Sequence, residues 1–511
     1  MNFAAAMNNE SRKTFTENGG TAYNTTGSAV LDLFGSIGAL READDMRKET
    51  LFAEAYKESP ILATKCLFYA RDVRGGLGER ETFRTLLRYA AIHHPEAIKR
   101  NILLIPFYGR YDDWYTLIDT PLEDEMWKNM KWVFELDLEY MSRKEPVSLL
   151  AKWMKTADAT SKKTRELGIL TAKKMGLSVY AYKRKVRALR KYINVVEVKM
   201  TAKEWDEINY PAVPARAMMN YRKAFGRHDQ ERFSKYIQDV STGKEKINSG
   251  TLYPYDILER YGFGSWGVGT DEEDPVLEAQ WKALPNYVKP GTNAIVIADT
   301  SGSMDGRPIR SAVGLAVYFA ERNTGAYHNL WMSFSGDSTI QRLEGETLLQ
   351  KLANIDTENW GNNTNLERAF MNVLEIAIVN HVAPEEMVKS IIVISDMEID
   401  GHVCSGERVY GGRDWLGRTS YRYLGGDSWS FYDAMEKEFG LHGYKIPTVI
   451  FWNVNSRHDL FHADKDRKGV ILCSGQATST FKHVVDTIDS TPYELMLEVL
   501  NSERYGRILI D

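Results

Sequence analysis

The spacing of apolar residues changes character near residue 293, and that change sets the limits on what the chain can form. From Ser28 to about Tyr261 the runs ILATKCLFYARDV, ERETFRTLLRYAAIHH and MWKNMKWVFELDLEYMSR place apolar residues three, four and seven apart, the signature of amphipathic helices. No strand-like alternation interrupts them, and no long heptad pattern joins them. Residues 28–261 are therefore expected to form an all-α module of stacked helix pairs, HEAT-like, with roughly 40 residues per unit. Residues 262–292 carry Gly and Pro clusters around one short helix and read as a linker. In residues 293–511, NAIVIA, NLWMSFS, SIIVISD and PTVIFWNV alternate with helical stretches such as PIRSAVGLAVYFAERN and NLERAFMNVLEIAIVNHV, which predicts an α/β, Rossmann-like domain with a parallel sheet. Residues 1–27 are rich in Asn, Thr, Ser and Gly and read as a flexible arm.

Composition narrows the function. With 43% hydrophobic residues over 511 positions, global disorder is excluded. Lys and Arg number 65 against 70 Asp and Glu, so the chain is neither a histone-like binder nor an acidic tail, and any nucleic-acid surface must be local. The three cysteines, Cys66, Cys404 and Cys473, are too few and too scattered for a disulfide framework or a thiolate zinc site, which fits a reducing compartment. The first residues lack a basic segment followed by an apolar one, and no window reaches the ~18 apolar residues of a membrane span. A soluble, cytoplasmic protein without membrane contact is expected.

The sharpest chemical signal is Asp299-Thr300-Ser301-Gly302-Ser303, which leaves the first predicted strand. One carboxylate and two hydroxyls on a tight loop form a hard-oxygen set suited to Mg²⁺, or to Mn²⁺ or Ca²⁺. Two more donors follow in order: Thr364, in a loop before a helix, and Asp396, directly after SIIVIS. Ligands of such sheets sit at the carboxyl ends of the strands. The set Asp299, Ser301, Ser303, Thr364 and Asp396 resembles the metal-ion-dependent adhesion site of von Willebrand factor A domains. That resemblance implies a cation completed by an acidic group from a protein partner, and a role in binding.

Beyond Asp396 come Glu398-Ile399-Asp400 and a segment of about 27 residues, too long for an ordinary connection. It interleaves Arg408, Arg413, Arg418 and Arg422 with Tyr410, Trp415, Tyr421 and Tyr423, a mixture suited to base stacking or to an acidic partner. A solvated loop is the plain alternative.

Positive charge concentrates elsewhere. Thirteen Lys or Arg and two acids lie between Ala151 and Lys191. Within this stretch Lys152, Lys183, Arg184, Lys185, Arg187, Arg190 and Lys191 are candidate phosphate contacts. A second basic region includes Arg222, Arg227 and His228 beside Tyr221, Phe225 and Phe233, a combination suited to single-stranded RNA. Phe225 and Phe233 read equally well as core.

Three motifs extend the picture: Ala70-Arg71-Asp72-Val73-Arg74-Gly75-Gly76-Leu77-Gly78-Glu79-Arg80, Ile105-Pro106-Phe107-Tyr108-Gly109-Arg110-Tyr111-Asp112-Asp113-Trp114, and Leu150-Ala151-Lys152-Trp153-Met154. They resemble the TROVE module of Ro-type RNA-binding proteins. With Trp205, Val213-Pro214 and the run Ala224 to Asp229, the chain is more similar still to an uncharacterised Ro-related family of bacterial, phage and plant proteins, over about residues 15–500. The resemblance implies a helical ring closed by the A domain, with RNA on a basic outer surface. It further implies a non-enzymatic binder of small structured, Y-like or defective RNAs that cooperates with an exoribonuclease. The glycines have a plainer reading as helix breaks. The competing function is a metal-dependent protein-interaction scaffold without RNA, and a metal-dependent nuclease is the third.

Overall fold

The computed structural model describes residues 7, 10–361, 363–400, 431–484 and 490–510, together with the backbone of 407–413 and 419–424. Its contacts divide the chain into two units. Unit 1 comprises residues 1–66, 252–274 and 285–504, and unit 2 comprises 67–251, 275–284 and 505–511.

Unit 1 holds every described strand: β1 (Lys13–Phe15), β2 (Thr21–Tyr23), β3 (Ala294–Asp299), β4 (Leu330–Phe334), β5 (Ser338–Arg342), β6 (Ser390–Ser395), β7 (Glu407–Arg413), β8 (Thr419–Leu424), β9 (Thr448–Asn453) and β10 (Val470–Ser474). Six of them form one sheet in the order β10-β9-β6-β3-β4-β5. All neighbours are parallel except β4 and β5, so the sheet is mixed where a parallel one was expected. The departure has a local cause, since three residues join β4 to β5, too few for the crossover a parallel pair needs. β3, β6, β9 and β10 are buried along their whole length, as their continuous Val and Ile runs require. Helices Arg307–Arg322 and Leu366–Val379 follow β3 and precede β6. Leu366, Phe370 and Leu374 pack into the core with Ile297, Val393 and Phe451.

The boundaries differ from the sequence expectation. Residues 13–23 form an antiparallel hairpin whose second strand is buried, with Ala22 at 0% exposure and Tyr23 within the core of the α/β unit. Backbone bridges join Gly19 to Asp400 and Tyr23 to Phe461, so from residue 10 onward this segment is an integral part of unit 1. Helices Ala29–Ser36, Asp45–Glu58 and Pro254–Arg260 also belong to this unit. Within 262–292, helix Pro275–Lys282 belongs to unit 2, where the Gln280 side chain donates to the Ala215 carbonyl at 2.9 Å.

Asp32, on helix Ala29–Ser36, accepts bonds from the Thr25 and Thr26 side chains and the Thr26 amide. Burial raises its pKa to about 6 against those bonds. A carboxyl raised in the folded state stabilises most below its unfolded pKa and loses that contribution as pH rises through the folded value. Asp32→Asn is accordingly expected to flatten the stability profile between about pH 4 and pH 6, removing a slope worth roughly 3 kcal/mol, as read by urea unfolding at each pH.

Among the described residues of unit 2 the regular elements are all helices, and successive helices pack on one another, Lys162–Lys174 on Val179–Tyr192 and Ala215–His228 on Gln230–Ser241. One core gathers Val196, Tyr210, Met218, Phe225, Phe233, Tyr236 and Val276, so Phe225 and Phe233 are packing residues. The motif residues build the rest. Arg71 Nε and Arg84 Nε each lie 2.8 Å from a different oxygen of Asp113, and Arg84 Nη2 and Arg110 Nη2 lie 3.0 and 2.7 Å from Asp112 Oδ2. Burial alone would raise the Asp112 pKa, but the hydrogen bonds and charge of Arg110, with Arg84 and Lys155, hold it below its ordinary value. Arg110 also lies over the Trp153 ring at 4.0 Å. Gly76 is fixed by space, because a Cβ there would stand 2.1 Å from the Tyr69 carbonyl oxygen. The chain end returns to this unit, with the Tyr505 hydroxyl donating to Asp72 Oδ2 at 3.0 Å.

Candidate functional site

Asp299 is the last residue of β3, and Asp396 directly follows β6. These strands are parallel neighbours, and the chain leaves β3 for β4 on its other side, so both carboxylates stand where the winding of the sheet reverses. Such a point opens a crevice at the carboxyl ends of the strands. Asp299 is fully buried, its Oδ1 accepting from the Ser301 amide at 2.9 Å and its Oδ2 from the Ser395 hydroxyl at 2.6 Å. The Ser301 and Ser303 hydroxyls are 3.2 Å apart, with Ser303 exposed at the rim. Thr364 arrives on a loop tied to theirs by the Gly361 amide, which donates to the Thr300 carbonyl at 2.9 Å. Its own amide donates to Asp400 Oδ1 at 3.2 Å. The five residues expected from the sequence thus lie on three adjoining loops at one sheet edge.

The electrostatics of this edge are unbalanced. Burial first, and the neighbouring Asp396 carboxylate second, push the Asp299 pKa up to about 7. Asp396 Oδ2 is buried without a hydrogen-bond partner. Arg457 Nη2 stands 3.1 Å from it, near enough for charge but not aligned as a hydrogen bond. Met397, the next residue, has φ at +70°, a strained conformation for a side chain of this kind. Two buried carboxylates beside two hydroxyls and a threonine form an all-oxygen set whose charge a hard cation would neutralise, and in that chemical sense the residues fit one.

Several participants were not expected. Ser395 orients Asp299, and its hydroxyl also accepts from the Met397 amide at 3.0 Å. Glu398 is fully buried, its Oε1 2.7 Å from His458 Nδ1 and its Oε2 accepting from the Glu17 amide at 2.9 Å. Glu17, Glu398 and His458 bring ligating atoms within 4.8 Å of one another. Glu17 lies 381 residues from Glu398, and His458 lies 60 from it, so spacing in the chain carried no signal of this cluster.

The basic candidates separate by role. Helix Val179–Tyr192, capped by the Ser178 side chain, buries Tyr182, Val186 and Leu189. On its opposite face, at helical spacing, stand Tyr180, Arg184, Arg187 and Lys191, all exposed. Tyr180 is 75% exposed, and sequence reasoning missed it although VYAYKRK displays it. Arg190 instead donates to the carbonyls of Ala151 and Met154 at 2.8 and 2.7 Å, and burial lowers its pKa. Lys183 pairs with Asp158 at 2.6 Å. Lys152 and Lys185 are half-buried, and Lys152 Nζ lies 5.6 Å from the Trp153 ring centre. Arg222 donates to the Met219 carbonyl at 2.6 Å, and His228 stacks on Trp205 at 4.4 Å; Arg227 and His228 are both exposed. Arg418 and Trp415 lie outside the described residues, as do the side chains of Arg408, Tyr410, Arg413, Tyr421, Arg422 and Tyr423.

Two family profiles divide the sequence near residue 292, which is not where the two units divide. A profile described as "Domain of unknown function (DUF2828)" matches residues 16–162 and 131–291. The chain belongs to the DUF2828 family. A second profile, "Domain of unknown function (DUF7788)", matches residues 293–502, which take in the six-stranded sheet; neither is a TROVE or Ro profile. A protein of Acanthamoeba polyphaga mimivirus, named only "Uncharacterized protein L728", is 26% identical over 531 residues, spanning 95% of this chain and 87% of its own. No described helix of this DUF2828 protein is long and apolar enough to cross a membrane.

Proposed function

We propose that this protein is a non-enzymatic RNA-binding protein related to Ro, with its RNA face on the helical unit and a cation-dependent binding edge on the α/β unit. The observation that carries this reading is the exposed stripe Tyr180, Arg184, Arg187 and Lys191 on a helix that contains no acidic residue. Three cations in a row follow a phosphate backbone by displacing its condensed counterions. An exposed ring among them offers a surface on which an unpaired base can stack. On this reading the helical unit is a HEAT-like array of the TROVE type and the RNAs are small structured, Y-like or defective species. Arg184, Arg187 and Lys191 make the phosphate contacts, with Arg227 on a second exposed patch. Lys183, Arg190 and Arg222 are left to hold the scaffold, and the exposed His228 stands beside Arg227.

The α/β unit reads as a von Willebrand factor A-like domain in which Asp299, Ser301, Ser303, Thr364 and Asp396 would hold Mg²⁺, or Mn²⁺ or Ca²⁺. The bound cation would supply an open coordination position for an acidic group of a protein partner, an exoribonuclease among the candidates. A scaffold working through this edge without RNA is the second reading, favoured by a buried Asp396 oxygen that faces Arg457 but accepts no hydrogen bond.

The test is to crosslink the protein to RNA in its own cells, recover it under denaturing conditions and sequence the attached RNA. The control is a variant carrying Arg184→Gln, Arg187→Gln and Lys191→Gln. A discrete small RNA that disappears in the variant is the expected result. Background RNA alone, equal in both proteins, would overturn the RNA reading and leave the scaffold.

A further inference from the structure

The tip of the N-terminal hairpin, residues 16–20, is seated on the candidate cation edge by contacts specific to its sequence. The Thr16 hydroxyl donates to the Ile399 carbonyl at 2.6 Å, and the Glu17 amide donates to Glu398 Oε2 at 2.9 Å. Asn18 Nδ2 donates to the Glu398 carbonyl at 2.7 Å and reaches Thr364 Oγ1 at 3.4 Å. Gly20 approaches so closely that a Cβ would stand 2.5 Å from the Ile399 carbonyl oxygen. This seat sets the Glu17 carboxylate beside Arg457, with Arg457 Nη1 2.7 Å from Glu17 Oε2 and Nη2 3.1 Å from Asp396 Oδ2. One cationic group thus links a buried carboxylate of the site to a carboxylate delivered from another segment.

That is the charge pattern expected of a divalent cation between the site and an acidic ligand. We propose that Arg457 and Glu17 form a built-in surrogate for cation and ligand, so that a divalent cation must displace Arg457 from Asp396 and thereby loosen the hairpin tip. The inference rests on the cation reading of Asp299, Ser301, Ser303, Thr364 and Asp396. The physical reason is competition for one carboxylate. A divalent ion and a guanidinium repel each other at contact distance, and Asp396 Oδ2 has no hydrogen bond that would survive the exchange. With Arg457 gone, Glu17 loses its close charge partner on this side and keeps only a looser approach to His458, 3.7 Å from its Oε1. An acidic partner then finds the edge uncovered when, and only when, cation is present. Self-coverage of this kind keeps the edge from engaging acidic surfaces at random.

The probe is Mn²⁺ alone, titrated by calorimetry into the full chain and into the Arg457→Gln, Glu17→Gln and Asp299→Ala variants, alongside hydrogen exchange of residues 13–24. Arg457→Gln and Glu17→Gln are expected to bind Mn²⁺ about fivefold or more tightly than the unaltered chain, the usual lower range for coupled sites. Asp299→Ala should bind none, and Mn²⁺ should quicken exchange in residues 13–24 of the unaltered chain. Equal affinity in the unaltered chain and Arg457→Gln overturns the surrogate while leaving the cation site standing. Weaker binding in Glu17→Gln overturns it too, because Glu17 would then be a ligand rather than part of a competitor. Unchanged exchange on adding Mn²⁺ has the same effect. Absence of binding in every variant overturns both the surrogate and the cation reading.

Discussion

Asp113→Ala is expected to destabilise the helical unit by about 3–5 kcal/mol, the cost of leaving a buried charge without its partner. The Asp113 and Arg71 side chains are 0% and 2% exposed, so water cannot replace the lost oxygen. Asp113 also accepts from Arg84 Nε and from the Arg110 amide, the latter at 3.0 Å, and the substitution orphans all three donors. Arg84 retains Asp112, so the main cost falls on Arg71. Urea unfolding followed by far-ultraviolet dichroism reads the effect. The double variant Arg71→Met with Asp113→Leu should recover part of the loss, because removing both charges avoids the orphan that one removal creates. A cost below about 1 kcal/mol for Asp113→Ala, the range of an exposed pair, would show that Arg71 has another acceptor and that this network does not hold the unit together.

This network explains why the motifs were legible while their meaning was not. The runs around Arg71, Arg110 and Trp153 stand out as ordered patterns of charge, aromatic and glycine, but the sequence cannot say which arginine meets which aspartate. The structure assigns them to packing: Arg71 and Arg84 on Asp113, Arg110 on Asp112 and Trp153, Gly76 against Tyr69. A resemblance carried by such residues speaks first to the fold of the helical unit. The binding surface has to be sought among exposed residues.

The sheet was legible to the extent that its strands are buried on both faces. β3, β6 and β9 are continuous apolar runs that no surface segment would carry. β5, with the sequence STIQR and an exposed Ile340, lies at the sheet edge and has no such run to give it away. The N-terminal hairpin was hidden for another reason. Its Asn, Thr and Gly residues have the composition of a tail, but Thr16 and Asn18 bond to Ile399, Glu398 and Thr364, and a short window cannot register partners that far along the chain. The candidate cation edge lies between these cases. Asp299, Ser301 and Ser303 are close in sequence, and Thr364 and Asp396 could be placed because strand ends converge at one edge. Ser395 adjoins a predicted residue and could have been included. Glu17, Arg457 and His458 could not, because only the folded chain brings them there.

Replacing Arg184, Arg187 and Lys191 together by Gln is expected to lower affinity for single-stranded RNA by about one to two orders of magnitude at low salt, and to reduce the slope of log affinity against log salt by about 2, since each lost contact to a single strand removes roughly 0.7. The stripe lies opposite Tyr182, Val186 and Leu189, so the unfolding midpoint should not move. Tyr180→Ala, which removes a stacking surface and no charge, should cost about 1–3 kcal/mol of binding and leave the salt slope alone. Arg190→Ala separates the two kinds of cation on the same helix. Its guanidinium serves the carbonyls of Ala151 and Met154, so its loss should lower stability by about 1.5–3 kcal/mol, the range for hydrogen bonds to a charged group, with little change in slope. The discriminating measurement is therefore the pair of slopes from RNA titrations across salt. A triple variant that keeps the slope of the unaltered protein, or an Arg190 variant that alone reduces it, would place the phosphate contacts elsewhere and remove the observation on which the RNA reading stands.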